Sequence, residues 1–160
     1  MSIKITIKNP NEYTNADLED FERLVNEGGE VAPNGLRGRI QRAEKLVFIK
    51  DGECVAVGAI KNPNEGYKAR IFRKAGVAGA EHYHFELGWL YVLEAARGNG
   101  YGRDLMRIFV DNLAGRASFA TTREDNQAMH HLFEQFGYVR AGNSYESESG
   151  DYSLVLYTRS

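Results

Sequence analysis

The chain of 160 residues has a single cysteine, Cys54, and only three prolines. One cysteine excludes an internal disulfide framework and suits a reducing, cytoplasmic compartment. So few prolines exclude a Pro-rich linker or stalk. A charge surplus is missing too: 20 Lys and Arg stand against 22 Asp and Glu, for a formal net charge of −2. Phosphate backbones are bound by basic faces, so nucleic acid is not an expected partner. No apolar run approaches the roughly 18 residues of a membrane span. At the start, Ile3, Ile5 and Ile7 alternate with Lys4, Thr6 and Lys8, where a signal peptide would carry an apolar block. No membrane association is expected. What is in surplus is glycine, 17 residues, about 11% against a usual 7%.

No repeat or linker interrupts the chain, so residues 1–160 read as one domain, long enough to bury roughly 70% of its unfolded surface. The alternation near the start has the period of a half-buried strand. Leu18, Phe21, Leu24 and Val25 recur at helical spacing behind a Thr14–Asp17 capping box, and Gly28-Gly29 stops that helix. Glu30 to Gly38 reads as a loop into a short second helix, roughly Leu36 to Lys45. Lys45–Lys50 and Glu53–Ile60 flank Asp51-Gly52, a strong hairpin signal. Asn62-Pro63-Asn64 then breaks the strand, and Tyr67 to Lys74 reads as a helical turn or a loop.

The second half is more regular. His84 to Leu93 is an apolar strand holding Gly88, and Leu105, Met106, Phe109, Val110 and Leu113 line a helix that begins near Gly100. Ala117 to Thr122 is a short strand. Met129, Leu132, Phe133 and Phe136 mark another helix, capped by Asp125 or Asn126. Tyr138–Tyr145 and Tyr152–Thr158 close as a hairpin. Hairpins mixed with two strand–helix units make an α+β protein with a mostly antiparallel sheet.

The glycines concentrate where the strand ending Leu90-Tyr91-Val92 turns into a helix through Arg97-Gly98-Asn99-Gly100-Tyr101-Gly102-Arg103. Converging backbone N–H groups and a helix N-terminus make an anion cradle suited to phosphate. A nucleotide P-loop would need Gly-Lys-Ser/Thr where Gly102-Arg103-Asp104 stands, and a dinucleotide fingerprint would need glycine at Arg103. Arg/Gln-x-x-Gly-x-Gly/Ala does match Arg97 to Gly102. That run resembles the pyrophosphate loop of the GNAT superfamily of N-acetyltransferases. Asn126-x-Ala128-x-x-x-Leu132-Phe133-Glu134-Gln135-Phe136-Gly137-Tyr138 is similar to the same family's fourth-helix motif. The resemblance covers nearly the whole chain. It implies an acyl-CoA N-acyltransferase fold, with a mixed, mostly antiparallel seven-stranded sheet flanked by about four helices and splayed between its fourth and fifth strands.

The resemblance further implies an enzyme that transfers acetyl from acetyl-CoA directly to a primary amine, small-molecule or protein, in a ternary complex. The pyrophosphate would rest on Arg97, Gly98, Asn99, Gly100, Tyr101 and Gly102, and the pantetheine arm would pair with Leu90, Tyr91 and Val92 as an added strand. An amide near Val92 would also stabilise the oxyanion. Asn126 would reach the cofactor or serve as a helix N-cap. Glu86, eleven positions before Arg97, would be the general base or else an ion-paired strand carboxylate; Gly88 would mark a bulge beside it.

One departure stands out. The family's general-acid tyrosine, seven residues after the asparagine, is replaced by Phe133, which is placed beside the cofactor thiol but has no proton to give. A thiol with a pKa near 8.5 can depart without an acid. The acid's role is then lost or moved: His130, three residues earlier on a similar helix face, reads as an alternative donor or an exposed histidine, and Tyr138 follows the helix. The departure keeps open a non-catalytic acyl-CoA-binding or regulatory module. A toxin-like enzyme acting on aminoacyl-tRNA is a third reading, with the near-neutral charge against it. Glu27 and Glu30 fall in the loop that shapes the family's acceptor pocket. Lys61, Lys68, Arg70, Arg73 and Lys74 form a basic stretch, either solvated or a phosphate site. Cys54 reads as core, and His82 with His84 lacks the partners a zinc site needs, so no metal is expected. A homodimer is left open.

Overall fold

The computed structural model describes residues 2–29 and 34–160, so Glu30 and its part of the acceptor loop lie outside the described residues. In chain order the elements are β1 (Lys4–Lys8), α1 (Asn15–Gly28), α2 (Leu36–Gln41), β2 (Lys45–Asp51), β3 (Glu53–Lys61) and α3 (Glu65–Ala75). They continue as β4 (Phe85–Val92), α4 (Tyr101–Leu113), β5 (Ser118–Arg123), α5 (Gln127–Gln135), β6 (Val139–Glu146) and β7 (Ser153–Arg159). The strands order β1-β2-β3-β4-β5-β7-β6 in one mixed sheet. β4 and β5 run parallel, with Phe85 opposite Ser118 and Glu86 opposite Phe119. Among the described residues no helix is long and apolar enough to cross a membrane. The chain forms two compact units, Met1–Asn62 with Leu87–Leu105 and Pro63–Glu86 with Met106–Ser160.

In the first unit, α1 starts where its capping box places it. Thr14 Oγ1 accepts from the Asp17 amide at 3.1 Å, and Asp17 Oδ2 accepts from the Thr14 amide at 3.3 Å. The helix stops at Gly29, whose φ of 71° is left-handed. Leu18, Phe21, Leu24 and Val25 pack with Leu36 and Ile40 of α2 on Phe48, Val57 and Trp89. Phe21 meets both Phe48 and Trp89 edge-on, at centroid distances of 5.5 and 6.0 Å. β2 and β3 pair as the hairpin around Asp51-Gly52, and Cys54 is buried in that core.

The second unit corrects the helix count from about four to five, because residues 65–75 form a full α-helix. Its buried positions are Lys68, Ile71, Phe72 and Ala75, an i, i+3, i+4, i+7 stripe in which a lysine fills the first place. Lys68 is accommodated because its ammonium donates to the Tyr83 carbonyl at 3.0 Å and to Glu65 Oε1 at 3.3 Å. Asn64 opens the helix, accepting from the amides of Gly66 and Tyr67. Ile71, Phe72 and Ala75 pack on Phe119 and Leu156 of the sheet. The basic stretch is therefore not uniformly solvated: Lys68 is interior, while Arg70 and Lys74 both pair with Glu148 at the β6–β7 tip.

Candidate functional site

β4 carries the first unit toward the glycine turn. Its backbone turns left-handed at Trp89, with φ 54°, one residue after Gly88. A non-glycine residue held there costs about 1–3 kcal/mol and persists only where its surroundings hold it. Here the indole is wedged against Phe21 and lies under the Lys61 ammonium, 4.4 Å from the ring centroid. The irregularity expected at Gly88 thus falls on its neighbour. The glycine has a separate steric reason, since a Cβ on it would lie 2.7 Å from Lys61 Cδ. Beyond this point Trp89, Tyr91 and Leu93 all join the first unit's core.

Leu90, Tyr91 and Val92 are the half-buried end of β4. A short 3-10 turn, Glu94–Ala96, follows, and the Leu93 amide anchors the turn to the Val55 carbonyl at 2.9 Å. Arg97 is exposed and folds back, its Nε donating to the Val92 carbonyl at 3.2 Å while its guanidinium sits 5.7 Å from the Tyr91 ring. Asn99 braces the turn from inside, Nδ2 donating to the Ala96 carbonyl at 2.7 Å. Gly98 and Gly100 have φ of 88 and 79°, and a Cβ built on either meets nothing within 4 Å. The Asp104 amide bonds to the Gly100 carbonyl as α4 begins. The amides of Tyr101, Gly102 and Arg103 therefore belong to the first turn, whose N–H groups point out of the helix end. Residues 97–103 include two arginines and no carboxylate. That donor set fits a diphosphate.

A hollow of about 410 Å³ lies beside the turn, bounded by Leu93, Ala96, Asn99 and Tyr101 on one side and by Asp51, Glu53 and Val55 on the other. Its two carboxylates make it a poor phosphate site, whereas the amide face of the turn presents donors.

In the second unit Glu86 is 3% exposed. Its Oε2 accepts from the Tyr67 hydroxyl of α3 at 2.9 Å. Burial, and then the Glu86 carboxylate, push the Tyr67 phenol far above its ordinary range. Burial and Glu86 raise Tyr145 of β6 as well; its hydroxyl is buried without a hydrogen-bond partner. Tyr67 and Tyr145 were not candidates from sequence. Tyr67 lies 19 positions from Glu86 and Tyr145 lies on a later strand, so no local pattern joins them.

Asn126 is exposed and caps α5, its Oδ1 accepting from the Met129 amide at 3.1 Å. Phe133 is 1% exposed, with its ring 5.7 Å from Tyr138 and 5.3 Å from Tyr157. The ring faces these other aromatics and presents almost no surface to solvent. His130, expected to be exposed, is 8% exposed. Its Nε2 faces the carbonyls of Arg123 and Glu124 at 3.1 and 2.9 Å, and Nδ1 meets the Tyr157 hydroxyl at 2.5 Å. Carbonyls only accept, so Nε2 carries a proton. Tyr138 is likewise interior, its hydroxyl 2.6 Å from Ser118 Oγ.

Comparison with known proteins places the chain in a class. The model of the acetyltransferase (GNAT) family matches residues 11–138, and the protein belongs to that family. A search of curated protein sequences finds no match. Among solved structures, an acyl-CoA N-acyltransferase from Pseudomonas aeruginosa superposes with a TM-score of 0.73 at 16% identity, covering 99% of this chain and 100% of that one. The ribosomal-protein-S18-alanine N-acetyltransferase from Escherichia coli gives 0.67 at 16% identity, covering 98% and 93%. YncA from Salmonella typhimurium, solved with its cofactor acetyl-CoA, gives 0.65 at 13% identity, covering 99% and 93%. These likenesses establish the acyl-CoA N-acyltransferase fold.

Proposed function

We propose that this protein is an acetyl-CoA-dependent N-acetyltransferase that acts on a primary amine by direct transfer in a ternary complex. The observation that carries this reading is the turn from β4 into α4. Two left-handed glycines and the first-turn amides of the helix offer an anion-binding surface over residues 97–103, which carry no carboxylate; Asp104 follows them in the first turn. In family members acetyl-CoA supplies the acetyl group as an activated thioester. In this chain the turn would hold its diphosphate, with Arg97 adding charge and the end of β4 lying alongside the pantetheine arm.

Glu86 would act as general base. An amine acceptor arrives as an ammonium with an ordinary pKa near 10. The carboxylate takes one proton from it and leaves the nitrogen lone pair free to attack. Phe133 supplies no proton, and its place in the core is what favours the second reading, a module that binds acyl-CoA without turnover. The single buried cysteine suits a cytoplasmic setting.

The test is thiol release from acetyl-CoA over polyamines, amino acids, aminoglycosides, peptides and charged tRNA. Release with one acceptor that collapses in Glu86→Gln supports the enzyme. Tight acetyl-CoA binding with no release on any acceptor supports the module.

A further inference from the structure

We propose that Tyr67 is a positioning residue for the transfer reaction, holding the Glu86 carboxylate in the orientation and ionised form in which it accepts the acceptor's proton. The proposal rests on the reading of Glu86 as base. It starts from geometry. Tyr67 stands at the first turn of α3, where the Asn64 cap fixes the backbone through the Gly66 and Tyr67 amides. The next residue, Lys68, is anchored into the interior on the Tyr83 carbonyl. Ile71, Phe72 and Ala75 then pin the rest of the helix to the sheet. A helix held at its cap, its first turn and its apolar face keeps the Tyr67 hydroxyl in place, and that hydroxyl donates to Glu86 Oε2 at 2.9 Å.

A phenol that donates to a carboxylate favours the charged carboxylate. Glu86 lies 3% exposed beside a cluster of aromatic and aliphatic side chains, where the Tyr67 hydroxyl fixes the direction of its Oε2. Tyr67 from α3 and Tyr145 from β6 are titratable groups of this unit that face it, while β5 sets Phe119 opposite. Tyr67 does not act as the acid: burial and the neighbouring carboxylate hold its proton firmly on the phenol. The buried Lys68 has a place in the same argument, because it helps anchor the turn that carries Tyr67.

The test compares Tyr67→Phe, Glu86→Gln and the double variant with wild type in the thiol-release assay, read as kcat, KM for acetyl-CoA and pH profile. Losing one hydrogen bond to a charged group predicts about a tenfold fall in kcat for Tyr67→Phe. KM for acetyl-CoA stays unchanged, and the acidic limb of the profile moves up by about one pH unit. The double variant is no worse than Glu86→Gln alone. Additive losses, or an unmoved acidic limb in Tyr67→Phe while Glu86→Gln collapses, overturn the proposal and leave Glu86 as base. Undiminished turnover in Glu86→Gln overturns the reading of the base itself. A measurement independent of turnover is the carboxyl ¹³C titration of Glu86, assigned by its absence in Glu86→Gln. Its midpoint rises by about one unit in Tyr67→Phe, and an unchanged midpoint overturns the proposal. If the phenylalanine variant does not fold, the ¹³C ring signal of Tyr67 in Glu86→Gln reads the same contact from the other side. The signal of the carbon bearing the hydroxyl then moves from its wild-type position, and an unmoved Tyr67 signal overturns the proposal.

Discussion

Alanine at Gly98 or Gly100 isolates the proposed anion-binding turn from the rest of the fold. Both residues sit at left-handed φ, 88 and 79°, with open space where a Cβ would project. The substitution therefore creates no clash within the protein. Its cost is the left-handed penalty for an L-residue, about 1–2 kcal/mol. In the free protein the altered turn can relax toward negative φ, and binding must restore the original shape. The penalty then appears in affinity, about 5- to 30-fold weaker acetyl-CoA binding at 1.4 kcal/mol per decade. Any contact between the methyl group and a phosphate adds to that. Gly115 supplies the control. Just past the far end of α4, it has φ of 84° and equally open surroundings. Gly115→Ala should lower the melting temperature by about 2–8 °C and leave affinity alone. Isothermal titration with acetyl-CoA and thermal melts of the three variants make the comparison. Folded Gly98→Ala and Gly100→Ala proteins that bind within twofold of wild type would refute the reasoning. So would a Gly115→Ala protein that loses as much affinity as they do.

Phe133→Tyr should leave acetyl-CoA affinity unchanged while destabilising the fold by about 1–3 kcal/mol, since its hydroxyl enters a filled aromatic core; loss of binding with intact stability would return position 133 to the cofactor surface. Cys54 is pushed up to about 11, mainly by burial, so a thiol reagent should label it slowly at neutral pH and quickly in denaturant, leaving the thiol-release assay without background from the native protein. The Asp17 carboxyl, against the partial burial that would raise it, is held below its ordinary value by the Lys50 ammonium at 3.0 Å and by Thr14. Its contribution, roughly up to 1 kcal/mol, is present above the unfolded pKa near 4 and is lost as pH falls through the lower folded value. Chemical denaturation at pH 6 and pH 3 should therefore show a smaller drop in Asp17→Asn than in wild type.

The features legible in the sequence are those written locally. The Thr14–Asp17 box, the Asp51-Gly52 hairpin and the glycine turn each state their geometry within a few residues, and the structure has all of them. What stayed hidden depends on partners far along the chain. Residues 67–74 read from sequence as a helical turn or a loop because Lys68 breaks the apolar stripe; the lysine is interior because the Tyr83 carbonyl, 15 positions on, receives its ammonium. His130 looked solvated because Tyr157, which fills its Nδ1, is 27 residues away. A bulge is expected at Gly88 from sequence, and the left-handed residue in β4 is its neighbour Trp89, held there by packing on α1. Glu86 was identified by its offset from the turn, but its hydrogen bond to Tyr67 and its coupling to Tyr145 exist only in the folded chain. Asn126 was read as cap or cofactor contact, and its capping bond is the part the fold displays.

Titration of the wild-type protein with acetyl-CoA, followed by calorimetry, tests the cofactor turn most directly. Saturable one-to-one binding, displaced by free coenzyme A and weakened by Gly100→Ala, is the expected result. A folded protein that shows no binding at millimolar acetyl-CoA, or binds it as well with Gly98 and Gly100 both replaced, would contradict the assignment.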